Sequence, residues 1–291
     1  MKKNILLFLS LFIAVTINAQ SLYVGTYNMR LHLGIDEERG DCWAKRCQVI
    51  CDQINFEHPD IFGTQELISD QLHDLLRSLD NYGYVGVARD DGKEAGEYAA
   101  ILYDKNRLTL LDSGNFWLSE TPDRPSMGWD AAYVRICTWG KYKDKDSRKI
   151  FFFFNLHMDH IGVVARREAA KLVVGRIKKM TGKYPMILTG DFNVDQTNEI
   201  YQIFTTSGIL KDSYTVARLR FAENGTFNNF DPYMKTDSRI DHVFVSPSFR
   251  VERYGILTNG YWTKNEESEI NKFTHRLPSD HYPVMVRLMF K

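Results

Sequence analysis

Pro185-Met186-Ile187-Leu188-Thr189-Gly190-Asp191-Phe192-Asn193 is the stretch on which the reading of the chain turns. Its apolar opening marks a buried strand, and the strand delivers an acid and an amide to its exposed C-terminal end. Asp191 and Asn193 are two residues apart, so in extended chain they point the same way. A carboxylate so placed can take a proton from water while the carboxamide holds that water or a phosphate oxygen. Gly, Asp and Asn are also ordinary turn formers, so the stretch takes its meaning from the rest of the chain.

The same pattern recurs outward in both directions. Residues 22–30 alternate and are β-rich, which places Asn28 near the end of a first strand. Trp43, Cys47, Ile50, Cys51 and Ile54 then recur at helical spacing. Next, His58-Pro59-Asp60-Ile61-Phe62-Gly63-Thr64-Gln65-Glu66 reads as a second short strand ending in an acid. Glu66 is either a solvated residue ahead of the helix carried by Leu72, Leu75, Leu76 and Leu79, or a hard oxygen ligand for magnesium. Residues 82–87 and 97–103 read as strands, with Glu97 opening the second. The aromatic, turn-rich residues 116–130 are a candidate specificity wall, and residues 131–139 read as a strand after it. Residues 149–155 hold four consecutive phenylalanines, suited to a strand buried on both faces, and lead into Asn155-Leu156-His157-Met158-Asp159-His160. A helix follows Gly162, with Arg166 and Arg167 read as solvated at its start. Downstream come a helix near residues 199–205 and a strand over 238–245, whose Asp241 sits in an apolar run and needs a partner. Ser279-Asp280-His281 introduces a last strand over 282–289, and the charged residues 264–272 before it read as a solvated loop.

The N-terminus has a separate character. Met1-Lys2-Lys3, an apolar run to Val15 and Asn18-Ala19-Gln20 predict a secretory signal peptide over residues 1–19. The run is short for a bilayer core of ~30 Å, so the expectation is a secreted or periplasmic domain over 20–291 without a transmembrane segment. The 291-residue chain carries 37 basic and 37 acidic residues. Removing the leader takes away Lys2 and Lys3 and no acid, leaving a formal charge of −2. That balance disfavours sequence-independent nucleic-acid binding, which depends on phosphate neutralisation by Lys and Arg. Cys47 and Cys51 read as small core residues, metal binding by the cysteines lacks the required spacing, and a bridge to Cys137 stays open.

Asn28, Gln65-Glu66, Glu97, His157, Asp191-x-Asn193, Asp241 and Asp280-His281 thus lie in order at strand edges. In this the chain resembles the endonuclease/exonuclease/phosphatase superfamily over nearly its whole mature length. That superfamily includes pancreatic-type deoxyribonuclease, abasic-site endonucleases, deadenylases, neutral sphingomyelinases and inositol polyphosphate 5-phosphatases. The resemblance implies an α/β fold, a four-layer αββα sandwich of two mixed β-sheets flanked by helices. It implies Mg2+ (or Mn2+) as cofactor, with Glu66 as main ligand, Asn28 supporting the metal or phosphate, and Asp280 close to the metal. Asp191 would orient and deprotonate the attacking water, helped by Asn193. His281 would contact the phosphate with Asp241 behind it, and Glu97 would hold His157. The Trp-x-Asp-Arg signature of inositol 5-phosphatases is missing, Ser238-Arg239-Ile240-Asp241-His242 standing there instead.

In-line attack on phosphate needs an activated water, charge stabilisation on the equatorial oxygens and help for the leaving oxygen. Two histidines, each kept protonated by a carboxylate, would serve the oxygens. The expectation is a divalent-metal-dependent phosphoesterase acting on a small phosphorylated substrate, a phosphodiester or phosphomonoester. A secreted nuclease and a non-catalytic binding module on the same fold are the alternatives.

Overall fold

The computed structural model describes residues 21–265 and 272–291; the leader and most of the charged stretch 264–272 lie outside them. Two large sheets face each other. The first has seven strands in the order β10 (Leu219–Phe221), β12 (Phe249–Ile256), β15 (Val284–Phe290), β1 (Ser21–Asn28), β2 (Ile61–Gln65), β4 (Ile101–Asp104) and β3 (Tyr82–Val85). The second has six, in the order β5 (Leu108–Trp117), β6 (Ile136–Asp144), β7 (Ile150–His157), β8 (Met186–Asp191), β11 (Asp241–Val245) and β9 (Lys211–Asp212). Both are mixed: β1 runs parallel to β2 and β7 parallel to β8, each flanked by antiparallel neighbours, and β10 runs parallel to β12 at the edge of the first sheet. A two-stranded ribbon, β13 (Tyr261–Lys264) and β14 (Phe273–Arg276), belongs to neither sheet.

The helices are α1 (Gly34–Glu38), α2 (Trp43–Glu57), α3 (Ser69–Ser78), α4 (Val163–Thr181), α5 (Glu199–Thr205) and α6 (Ser213–Val216). Ile50 and Ile54 of α2 and Leu72 and Leu75 of α3 pack on Tyr27, Phe62 and Leu102, the outer face of the first sheet. Val173 and Ile177 of α4 and Phe204 of α5 cover Phe154, Leu188 and Phe244 on the outer face of the second. The layers are therefore helix, sheet, sheet, helix. Among the described residues no helix is long and apolar enough to cross a membrane.

Strand alternation explains how the inner space changes character along its length. Leu22 and Val24 of β1, Phe151 and Phe153 of β7, Ile187 of β8, and Val243 and Val245 of β11 share one apolar cluster between the sheets. Phe152 and Phe154 turn outward to the helices, as two-sided burial requires. Continuing each inward series by one step gives Thr26, Asn155 and Thr189, and in β2 Gln65. These form a closed buried network. Gln65 Nε2 donates to Asn155 Oδ1 at 2.7 Å and to Thr26 Oγ1 at 3.0 Å, and Thr189 Oγ1 donates to Asn155 Oδ1 at 3.0 Å. Gly63 makes room for it, because a Cβ there would stand 2.1 Å from Asn155 Oδ1.

Several boundaries differ from the sequence expectation. β4 starts at Ile101, so Glu97 lies in the loop before it. β6 runs over Ile136–Asp144 where 131–139 was expected, because Tyr142 alternates with half-exposed lysines and carries only a half-buried pattern. β5 was not anticipated at all; it is an edge strand with exposed residues at its centre and little hydrophobic alternation to read. Arg166 is buried where a solvated residue was expected, its Nη1 donating to Asp159 O at 2.9 Å. All four cysteines are free. Cys51 packs outside the first sheet and Cys137 outside the second, so the double layer rules out a bridge between them.

Candidate active site

One further step along the inward series brings the strands to their chemistry. The ladders pair His157 with Asp191 across β7 and β8, and Asp191 with Asp241 across β8 and β11. Paired residues project to the same face, so histidine, acid and acid stand in a row on one sheet. Opposite them, Asn28 ends β1 in register with Gln65 of β2. Glu66 follows in a left-handed conformation at φ 67°, and Arg30 and Asn193 share that conformation at φ 60° and 49°. Such backbones cost on the order of 1 kcal/mol or more each and cluster where a site dictates geometry.

Asn28 joins the two sheets. Its Nδ2 donates to Glu66 Oε1 at 2.9 Å and to Asp191 Oδ2 at 3.1 Å. Its Oδ1 accepts from the Arg30 backbone N–H at 3.1 Å, and Leu31 N–H donates to Glu66 Oε2 at 3.0 Å. So oriented, the amide holds two carboxylates together and turns its oxygen away from them. Asn193 N–H donates to Asp191 Oδ1 at 2.9 Å, while its side-chain Nδ2 donates to Met158 O at 2.9 Å.

The two histidines are held differently. His281 Nδ1 lies 2.8 Å from Asp241 Oδ2, and its Nε2 lies 3.8 Å from Asp191 Oδ2. Burial works against its charge, but Asp241, Asp191 and Asp280 prevail and hold its pKa well above the ordinary histidine value. His157 Nε2 faces Asp191 Oδ2 at 3.5 Å, and its Nδ1 stands 3.5 Å from Glu97 Oε2 without a hydrogen bond. Glu97 is engaged instead by Arg89 Nη1 at 2.6 Å. Burial first, then the charges of Arg135 and Arg89, push the His157 pKa down to about 3 against the pull of Asp191 and Glu66. Burial and these arginines work against the expected protonation on the β7 side, where Arg89 also engages the carboxylate.

Burial and its neighbour Asp241 raise the Asp191 carboxyl above the usual range. Asp280 is pushed up to about 6 by burial, with Glu66 adding and His281 and Arg30 opposing. Its Oδ2 meets Arg30 Nη1 at 3.2 Å, and Arg30 also grips Asp36. Oxygens of Glu66 and Asp191 and a ring nitrogen of His157 all lie within 4.8 Å of one another. So many close carboxylates, two of them pushed toward their neutral forms, match a hard divalent cation that takes one or two carboxylates and keeps its waters.

Glu66, Glu97, His157, Asp191, Asn193, Asp280 and His281 line one cavity of about 580 Å³, with Asn28 and Asp241 bonded behind. All nine residues singled out in the sequence thus converge. The candidate wall, residues 116–130, contributes none of the lining; Phe116, Trp117 and Leu118 are buried in packing. The wall is made by Tyr133, Arg135 and His160 instead. Arg135 Nη2 lies 3.1 Å from His160 Nδ1; a guanidinium cannot accept, so Nδ1 accepts and the ring proton sits on Nε2. Tyr133 stacks on His160 at 5.7 Å and lies over both Arg89 and Arg135. Nothing in the local sequence marks Tyr133 or Arg135, which come together only through the fold. Arg30 had a signal that was passed over, as the cation two residues beyond Asn28.

Comparison with known proteins agrees with this geometry. The family model described as Endonuclease/Exonuclease/phosphatase family matches residues 16–281. A solved Bacteroides thetaiotaomicron VPI-5482 protein, described as mannosyl-6-phosphatase Bt3783, is 52% identical, with 92% of this chain and 100% of that chain covered and a TM-score of 0.89. An endonuclease/exonuclease/phosphatase family protein from Bacteroides thetaiotaomicron is also 52% identical, with 93% and 98% covered and a TM-score of 0.90. The protein L388 of Acanthamoeba polyphaga mimivirus is 30% identical over 263 residues, 84% of this chain and 91% of its own length.

Proposed function

The chain belongs to the endonuclease/exonuclease/phosphatase family, whose members are hydrolases of phosphoester bonds, and from that premise we propose that it is a Mg2+- or Mn2+-dependent phosphomonoesterase acting on a sugar phosphate. The observation that carries the reading is the convergence of Glu66, His157, Asp191, Asp280 and His281 on one cavity. The likeness to the mannosyl-6-phosphatase at 52% identity directs the substrate toward a hexose 6-phosphate.

In this reading Asp191 accepts the proton of the attacking water. Its raised basicity suits the role, and the Asn28 and Asn193 hydrogen bonds fix its orientation. His281, kept protonated by Asp241, donates from Nε2 to a phosphoryl oxygen on which charge builds. His157 is neutral and contributes hydrogen bonding without net charge. Glu66 would hold the cation, with Asp280 and Asn28 beside it, and the cation would supply Lewis-acid stabilisation of the phosphate oxygens. Tyr133 offers the sugar an aromatic face at the cavity wall.

The test is release of inorganic phosphate from mannose 6-phosphate by the purified chain, with Mg2+, with Mn2+ and with chelator, using Asp191→Asn as the blank. Metal-dependent release above that blank supports the proposal. Cleavage of an oligonucleotide or an aryl phosphodiester with no monoester hydrolysis would transfer the site to the nuclease reading. Equal rates from wild type and Asp191→Asn would favour a binding module.

A further inference from the structure

A second cleft, of about 640 Å³, lies beside the cavity and is lined by Asp41, Phe230, Asp231, Tyr233, Trp262, Phe273 and Arg276 among others. Three of its aromatic side chains are strongly exposed: Tyr233 at 90%, Trp262 at 67% and Phe273 at 57%. In the ribbon β13–β14, Trp262 pairs with His275 and Lys264 with Phe273, so alternation puts all four on one face. Large exposed aromatics gathered in one place are not explained by folding and mark a binding surface.

The lining speaks to the kind of occupant. Among the described residues no Leu, Ile, Val or Met contributes to it; the rings are interleaved with Asp41, Asp231, Thr274, His275 and Arg276. A pyranose, the unit a sugar-phosphate site would receive, offers alternating C–H faces and hydroxyl rims. The C–H faces pack on electron-rich rings, and the hydroxyls bond to carboxylates, guanidinium and amides.

The cleft adjoins the catalytic cavity across a single turn, and the two share no lining residue. Phe227 and Asn229 line the cavity, while Phe230 and Asp231, next in sequence, line the cleft. Asn229 and Phe230 are both left-handed, at φ 52° and 60°, and the first faces the cavity while the second faces the cleft. This partition is tied to the catalytic turn: Asn228 and Asn229 N–H donate to Asp280 O at 2.7 and 3.2 Å, and Phe227 bridges His281. Arg46 lies over the Phe230 ring at 5.5 Å.

We propose that this cleft binds the neutral sugar units of a phosphorylated oligosaccharide whose phosphate sits in the catalytic cavity, so that the preferred substrate is a glycan-borne phosphate and not a free monosaccharide phosphate. The inference rests on the sugar-phosphatase reading, and the experiment separates the two. Unphosphorylated mannotetraose is titrated into the full chain by calorimetry and tryptophan fluorescence. Separately, kcat/KM is measured for mannose 6-phosphate and for a 6-phosphorylated mannotetraose. Wild type is expected to bind the neutral sugar and to prefer the phosphorylated oligosaccharide by about tenfold or more. Tyr233→Ala and Trp262→Ala, at exposed positions that carry little folding load, are expected to weaken binding and erase most of that preference. Hydrolysis of both substrates without preference overturns this proposal and leaves the sugar-phosphatase reading standing. Binding that both variants abolish, with neither substrate hydrolysed, keeps the cleft as a neutral-sugar site but overturns the sugar-phosphatase reading and with it the proposed substrate preference. A dimer in sedimentation that Trp262→Ala dissolves, with no sugar binding, overturns it in favour of self-association.

Discussion

The β7 side and the β15 side of the cavity each present a histidine to Asp191, and they arrive at opposite charge states. On the β15 side Asp241 comes from β11 of the facing sheet, pairs among the described residues with His281 alone, and gives the ring a 2.8 Å partner. On the β7 side Glu97 comes from a loop and meets Arg89 first, leaving the His157 Nδ1 unpartnered. The lesson is that a carboxylate near a histidine does not by itself protonate it; burial and the neighbouring cations weigh against it. Two titratable groups with environments that drive them apart are the usual sign of divided labour.

That contrast is open to breakage. Asp191→Asn removes the group both sides serve and is expected to have the largest effect, a fall in kcat of about 10⁴. A loss below about tenfold would deny Asp191 a place in the chemistry. The separation itself is tested by the single histidines. His281→Ala is expected to cost about 10³ in kcat and His157→Ala about 10², because only the first removes a charged donor; equal losses would erase the distinction. Tyr133→Ala reaches only the wall of the β7 side and is expected to raise KM for a sugar phosphate several-fold with little change in kcat, which steady-state kinetics resolves.

The smallest effect concerns stability. Asp159 braces the β7 side, accepting N–H bonds from Ile161 and Gly162 and pairing with Arg135 at 3.3 Å. Burial opposes its charge, but those N–H donors and Arg135 hold its pKa at about 2, below the ordinary 3.8. A depressed folded pKa contributes stability above the unfolded value and loses it as pH falls through the folded one. Asp159→Asn is therefore expected to cost about 1–3 kcal/mol at neutral pH. In denaturant titrations the gap to wild type should close between about pH 4 and pH 2.

The same contrast shows what was legible in the sequence. Asn28, Glu66, His157 and Asp191 lie at the C-terminal ends of apolar strands and Asp241 stands out as an acid in an apolar run, so these could be read locally, while the four-layer architecture came from the family resemblance that their order supports. Glu97 was placed on a strand because residues 98–103 are apolar, yet only Ile101–Asp104 pairs regularly. Its engagement by Arg89 is a loop-to-loop contact with no periodic trace. Tyr133 and Arg135 escaped for the same reason, since their value comes from His160 and Asp159 across the chain. Local pattern reveals what a strand delivers, and long-range loop packing decides the electrostatics that delivery meets.

Asn28 sits where the two layers meet and touches one carboxylate from each, Glu66 and Asp191. Its amide therefore works as a caliper set to the gap between the sheets. Any substitution that thickens or thins the interior, even at Phe153 or Val243 far from the cavity, moves the jaws and should register as altered cation affinity before it registers as unfolding. Metal titration of interior variants would turn the reactive end of the sandwich into a ruler for its middle.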